Sequence, residues 1–185
     1  YRTMRWGKDL QIWLVEGRDF RSPNSIPDGP DKTIWGNQQK TWFKRTVTDS
    51  DATFRILISP TPVVGPDREK KNDNHANKGF KHEGDELRHF MGQQKNMVVI
   101  CGDRHWQYVS VDPITGLREY SCGPTSNQHA GGFKQEYQQP MHRYLNICGG
   151  FLSATVERVN EQPLLTIRHH SVTGEILNQD QLTAE

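Results

Sequence analysis

The stretch Asn96-Met97-Val98-Val99-Ile100-Cys101-Gly102-Asp103-Arg104-His105-Trp106-Gln107 decides how the rest of the chain is read. Met97 to Cys101 form an unbroken apolar run with β-branched residues at its centre, the pattern of a strand buried on both faces. This predicts a central strand. Gly102 ends the run, and Asp103 and His105 follow with one residue between them. An extended backbone would send both side chains to one side, Cα atoms ~6.5 Å apart. A carboxylate and an imidazole so placed could each serve one of two metal ions ~3.5–4 Å apart. Open α/β sheets bind ligands at this end of their strands. On these residues alone a second reading stands beside it: strands often leave a core through Gly-Asp turns, and a histidine after one can be plain surface.

Working outward, the alternation of elements sets the fold class. Leu10 to Val15 reads as a strand ending at Glu16, after a basic and aromatic lead from Tyr1 to Lys8. From Thr33 to Val47, Ile34, Trp35, Gln38, Trp42, Phe43 and Val47 recur at helical spacing, which predicts a helix packed on the sheet with its tryptophans in the core. Phe54 to Ile58 is a second buried strand, stopped by Ser59-Pro60 because proline cannot donate to a sheet ladder. A short helix over Asp85 to Gln94, with Leu87, Phe90 and Met91 as its apolar face, leads to the central strand. Such alternation predicts βαβ units and a mainly parallel sheet.

Beyond His105 the period changes to that of antiparallel strands. Tyr108–Val111 and Leu117–Tyr120 flank a turn at Asp112–Gly116, and a loop through Gly123-Pro124, Gly131-Gly132 and Tyr137 follows. Phe151–Val159, Leu164–His170 and Glu175–Leu177 then read as three antiparallel strands. His169 and His170 are adjacent, so in a strand they face opposite ways and cannot share an ion; both are expected on the strand surface.

Two loops carry further polar candidates. Arg18 and Arg21 follow the first strand, and arginine there suits bidentate phosphate binding, with a structural ion pair as the equal alternative. The segment from Val63 to about Gly84 contains Asp73, His75, Asn77 and His82, and loops of that length tend to be functional or disordered.

Composition narrows the classes. With 23 Lys and Arg against 22 Asp and Glu and no basic stripe, a nucleic-acid footprint is unsupported. Mean hydropathy of −0.83 and the lack of a long apolar run leave no transmembrane segment. The three cysteines, Cys101, Cys122 and Cys148, cannot form a full disulfide framework, and Cys101 reads as a small buried hydrophobe. No P-loop, dinucleotide fingerprint, zincin helix or nucleophile elbow is present.

The set W-L-V-E-G-R-D-F-R, W-G-N-Q-Q-K-T-W-F, I-L-I-S-P-T-P-V-V-G-P-D and C-G-D-R-H, in this order in the chain, resembles the carboxyl-terminal half of PhoD-like alkaline phosphatases, members of the calcineurin-like metallophosphatases. The resemblance implies a two-layer α/β/β/α sandwich with a mixed sheet and antiparallel C-terminal strands. It implies hydrolysis of phosphate mono- or diesters by a secreted, periplasmic or surface enzyme that uses iron together with calcium. Carried over by position, Asp103 and His105 would be metal ligands, and Arg18 and His105 the catalytic pair. Arg18 would hold a phosphate oxygen, with Glu16 in place of the carboxylate usual there. His75 and Asn77 fall where many relatives carry a tryptophan-containing substrate motif, here without the tryptophan. The family's earlier metal motifs have no counterpart before Leu10, so residues 1–185 are expected to be the C-terminal portion of one larger domain, inactive without the rest. A non-catalytic, β-rich binding or adhesion module is the rival reading, and oligomeric state is undetermined.

Overall fold

A computed structural model describes residues 1–184. Its main sheet has seven strands: β1 (Arg2–Trp6), β2 (Leu10–Leu14), β3 (Phe54–Ser59), β4 (Met97–Cys101), β5 (Gln107–Val111), β6 (Arg118–Cys122) and β7 (His142–Asn146). They lie in the order β1-β2-β3-β4-β6-β5-β7, so β4 is the middle strand. The run β2, β3, β4, β6 is parallel, and β1, β5 and β7 add antiparallel at the edges. A second sheet of three antiparallel strands, β8 (Phe151–Val159), β9 (Gln162–His170) and β10 (Ile176–Thr183), has the order β10-β9-β8.

The double burial of β4 comes from a different layer on each face. On one side Val99, with Trp13 and Leu57 from its neighbours, packs against helices α1 (Gly36–Thr48) and α2 (Lys81–Gly92). The helices supply residues at every fourth position, Gln39, Phe43 and Val47 from α1 and Glu83, Leu87 and Met91 from α2, as an amphipathic stripe requires. On the other side Val98, Ile56, Val109 and Tyr120 meet Leu165 and Ile167 of β9. The order of layers is helices, sheet, sheet.

That inner face is covered unevenly. Leu10, Phe54 and Ile56 are sealed under the second sheet, whereas Ile58 at the carboxyl end of β3 is 37% exposed, and Met4 and Trp6 on β1 are 45% and 66% exposed.

Several expectations need correction. The basic and aromatic lead at Tyr1–Lys8 is itself a strand, because Arg2–Trp6 pairs antiparallel with β2. β7, inside the expected loop, closes the other edge. The α1 stripe uses Gln39 instead of Gln38, and α2 starts four residues earlier than expected. His169 is fully buried: its Nε2 meets the Ser121 carbonyl at 3.1 Å and its ring lies 4.9 Å from that of Tyr144, so only His170 keeps a place on the strand surface.

Candidate active site

The mouth of the site is the carboxyl end of β4. Gly102 still holds the ladder, its N–H donating to the Ser59 carbonyl at 3.1 Å. Asp103 then takes a left-handed backbone, φ +59°, so the chain here is not extended as expected. Aspartate tolerates that region better than most residues with a Cβ, and non-glycine residues held there cluster at functional sites. The alternation nevertheless survives: Asp103 and His105 are exposed, while Arg104 and Trp106 between and after them are buried. The His105 carbonyl is held by the Gly131 N–H at 2.9 Å, and its imidazole makes no hydrogen bond among the described residues.

Arg104 is the residue that sequence reasoning missed. Its guanidinium, 1% exposed, pairs with the buried Asp67 carboxylate through Nη1 and reaches Asp103 Oδ2 through Nη2 at 2.8 Å. It lies 5.5 Å from the ring of Trp106, itself stacked on Phe133 at 4.7 Å. Asp67 also accepts from Asn74 Nδ2 at 2.8 Å and from the Arg68 N–H at 2.7 Å. An arginine at the inward position of an alternating D-R-H is a signal that an acid must lie inside to meet it; the sequence does not say which one.

The loop that carries Asp67 is anchored from below. Glu119 on β6 is fully buried, and its carboxylate accepts the N–H groups of Val63 at 2.6 Å, Val64 at 2.9 Å and Gly65 at 2.8 Å, and the Tyr108 hydroxyl at 2.7 Å. Burial, with the nearby Cys101 and Glu119, pushes the Tyr108 phenol far above its ordinary range, so it stays a donor. Three amides converging on one carboxylate fix the path of the chain as it leaves β3.

The Arg18 loop is set by the end of β2. Gln39 of α1 clamps Glu16 twice, accepting its N–H at 2.7 Å and donating to its carbonyl at 2.8 Å. The Glu16 carboxylate in turn accepts the N–H groups of Arg18 at 2.5 Å and Asp19 at 2.8 Å. Glu16 is therefore spent on shaping the turn. The Arg18 side chain is exposed, and its guanidinium has no hydrogen bond or ion pair among the described residues, which leaves it open to an anion. Arg21 is stacked on Phe80 at 4.7 Å and donates to Asn24 at 2.6 Å. Partial burial and then the Arg18 charge lower its pKa, with Asp73 and Asp103 opposing.

The two expected substrate contacts, His75 and Asn77, are engaged by neighbouring groups. His75 is fully buried, its Nε2 2.9 Å from Glu83 Oε2 and its ring edge-on to Trp35 at 5.7 Å. Glu83 also accepts the Ile34 N–H at 2.6 Å and the Thr33 hydroxyl. Burial works to raise the Glu83 pKa, but the histidine and these donors win and hold it at about 2. His75 thus joins α2 to the segment before α1 and presents no ring to a substrate. Asn77 caps the 3-10 turn Lys78–Phe80, its side-chain oxygen accepting from Gly79 N–H at 3.2 Å.

Among the described residues no three His, Cys, Asp or Glu side chains gather into a metal nest. Asp103 and His105 are chemically suited to an oxygen- and nitrogen-ligated ion, but they amount to part of a coordination shell. The described residues contain no helix long and apolar enough to cross a membrane.

A family model described as PhoD-like phosphatase matches residues 1–153. No curated protein matches the chain. Among solved structures, that of PhoD is similar over 99% of this chain and 40% of its own, at 17% identity and a TM-score of 0.71. A purple acid phosphatase from yellow lupin (Lupinus luteus) seeds is similar over 98% of this chain and 32% of its own, at 12% identity and a TM-score of 0.66. GAP50, described as the anchor in the inner membrane complex of Plasmodium, is similar over 95% of this chain and 50% of its own, at 15% identity and a TM-score of 0.62. The chain therefore spans half or less of the length of each.

Proposed function

From the premise that this chain belongs to the PhoD-like phosphatase family, we propose that it forms one side of a phosphoester hydrolase site, with Asp103 and His105 as metal ligands and Arg18 as the phosphate clamp. The observation that carries this reading is the exposed pair Asp103 and His105 just past the carboxyl end of the middle strand, at the same end of the parallel run from which the exposed Arg18, with no hydrogen bond or ion pair among the described residues, follows β2. Bound metal ions would supply an activated water and a Lewis acid for the phosphoryl oxygens; iron with calcium is the combination the family resemblance implies. In this reading Arg18 neutralises charge on the phosphoryl group, His105 and Asp103 orient the ions, and Glu16 and Gln39 keep the Arg18 turn in register. The remaining ligands come from further polypeptide of the same domain. Two observations support that completion: the match to larger chains over only 32–50% of their length, and the part-exposed inner face at Ile58.

The test is hydrolysis of aryl phosphate mono- and diesters by the full-length polypeptide with added metal. His105→Ala and Asp103→Ala are expected to abolish metal-dependent turnover. Full turnover in His105→Ala would refute the assignment. The likeness to a chain described as an anchor keeps a non-catalytic module in view; that reading predicts no metal-dependent cleavage from any version of the protein.

A further inference from the structure

A buried arginine needs one counter-charge, and Arg104 has two. Asp67, its side chain fully buried, pairs with it and is also met by Asn74, the Arg68 amide and, at 3.6 Å, the Arg68 guanidinium. The second arm of the fork points outward to Asp103, whose side chain is 48% exposed. The Trp106 ring lies beside the fork, its centroid 5.5 Å away, and is itself stacked on Phe133. Asp103 sits at φ +59°, a backbone conformation that works against any residue with a Cβ. Its only side-chain hydrogen bond or ion pair among the described residues is this one, through Oδ2. Oδ1 accepts no hydrogen bond among the described residues.

We propose that Arg104 is a positioning residue for the metal site: anchored on Asp67, it holds Asp103 in the left-handed conformation with one carboxylate oxygen engaged and the other presented to a cation. The proposal rests on the reading of Asp103 as a ligand. Outer partners of metal ligands commonly act in this way, and their loss weakens metal affinity ~10–100-fold.

The test compares the full-length wild type with Asp103→Ala, Arg104→Met, Arg104→Lys and the double variant Asp67→Asn/Arg104→Met. The double removes both buried charges, which proteins tolerate better than losing one, so it carries the test if Arg104→Met alone does not fold. Free Mn²⁺ is followed by electron paramagnetic resonance, and amide exchange at residues 102–106 by mass spectrometry. The expected result is a Kd for Mn²⁺ raised ~10–100-fold in Arg104→Met and the double. Arg104→Lys should recover part of the affinity, and exchange should be faster at Asp103–His105 with β4 still protected. If Asp103→Ala weakens Mn²⁺ binding and the double variant does not, the positioning role is refuted and the site reading stands. If Asp103→Ala leaves the Kd unchanged, the ligand assignment falls, and this proposal with it. Faster exchange confined to the loop around Asn74, at unaltered Mn²⁺ affinity, would mean that Arg104 merely holds that loop, and would also refute it.

Discussion

Replacing Glu119 should loosen the floor of the site, and two substitutions should do so by different amounts. The carboxylate accepts four hydrogen bonds, three of them from the amides of Val63, Val64 and Gly65 and one from the Tyr108 hydroxyl. In Glu119→Leu all three amides lose their acceptor in a site closed to water; at ~1–3 kcal/mol for each stranded donor the loss is at least about 3 kcal/mol, a large part of the ~5–15 kcal/mol of a typical domain. In Glu119→Gln the amide oxygen can still serve Val63 and Val64, and the Tyr108 hydroxyl can turn to accept from the new NH₂ group. Only the Gly65 N–H is then stranded, a loss of ~1–3 kcal/mol. Urea unfolding followed by fluorescence of the buried Trp13, Trp35 and Trp106 measures both. Amide exchange adds position: Gly65 alone should lose protection in the glutamine variant, and all three amides in the leucine variant. Equal losses in the two variants, or both within ~0.5 kcal/mol of wild type, would refute the claim that these amides depend on the carboxylate.

Acid should weaken the fold in a defined window. Burial holds His142 and His169 at pKa values of about 4, against 6.5 ordinarily. The unfolded chain therefore binds more protons, and each group's contribution is complete above pH 6.5 and lost as pH falls toward 4, up to ~3 kcal/mol each; urea midpoints across that range check it, and His169→Asn should flatten the slope. Glu83, held at about 2 against 4.5 ordinarily, keeps its full contribution above pH 4.5 and loses it progressively as pH falls from there to 2. Arg18→Ala should leave stability within ~0.5 kcal/mol, since the side chain is exposed, while lowering kcat/KM for phosphate esters ~10–150-fold, the equivalent of ~1.5–3 kcal/mol for a charge-assisted hydrogen bond. Gly150→Ala should be among the most damaging single changes: a Cβ there would lie 1.8 Å from the His170 carbonyl oxygen at φ +152°, so a drop in thermal midpoint of several degrees is expected.

Local pattern alone determined a good deal of this protein. An unbroken apolar run required a strand covered on both sides, and β4 is the middle strand of the sheet with helices on one face and a second sheet on the other. Alternation of residue types placed Asp103 and His105 outward together, and the change of period after His105 marked the antiparallel strands. These features depend on neighbours one to four positions apart, which a sequence displays directly.

Tertiary structure decided what the buried polar groups meet. Arg104 finds Asp67 37 residues away, and Glu119 gathers amides 54 to 56 residues away. His75 and His169 look like surface residues in a polar setting, yet each is enclosed because distant elements close over it. The hairpin shows the same division: its two strands were legible, but the insertion of β6 between β4 and β5 was not. Periodicity records which way a side chain points. The partner that compensates a buried charge or hydrogen-bonding group is chosen by packing between segments far apart in the chain, and no local pattern carries that choice.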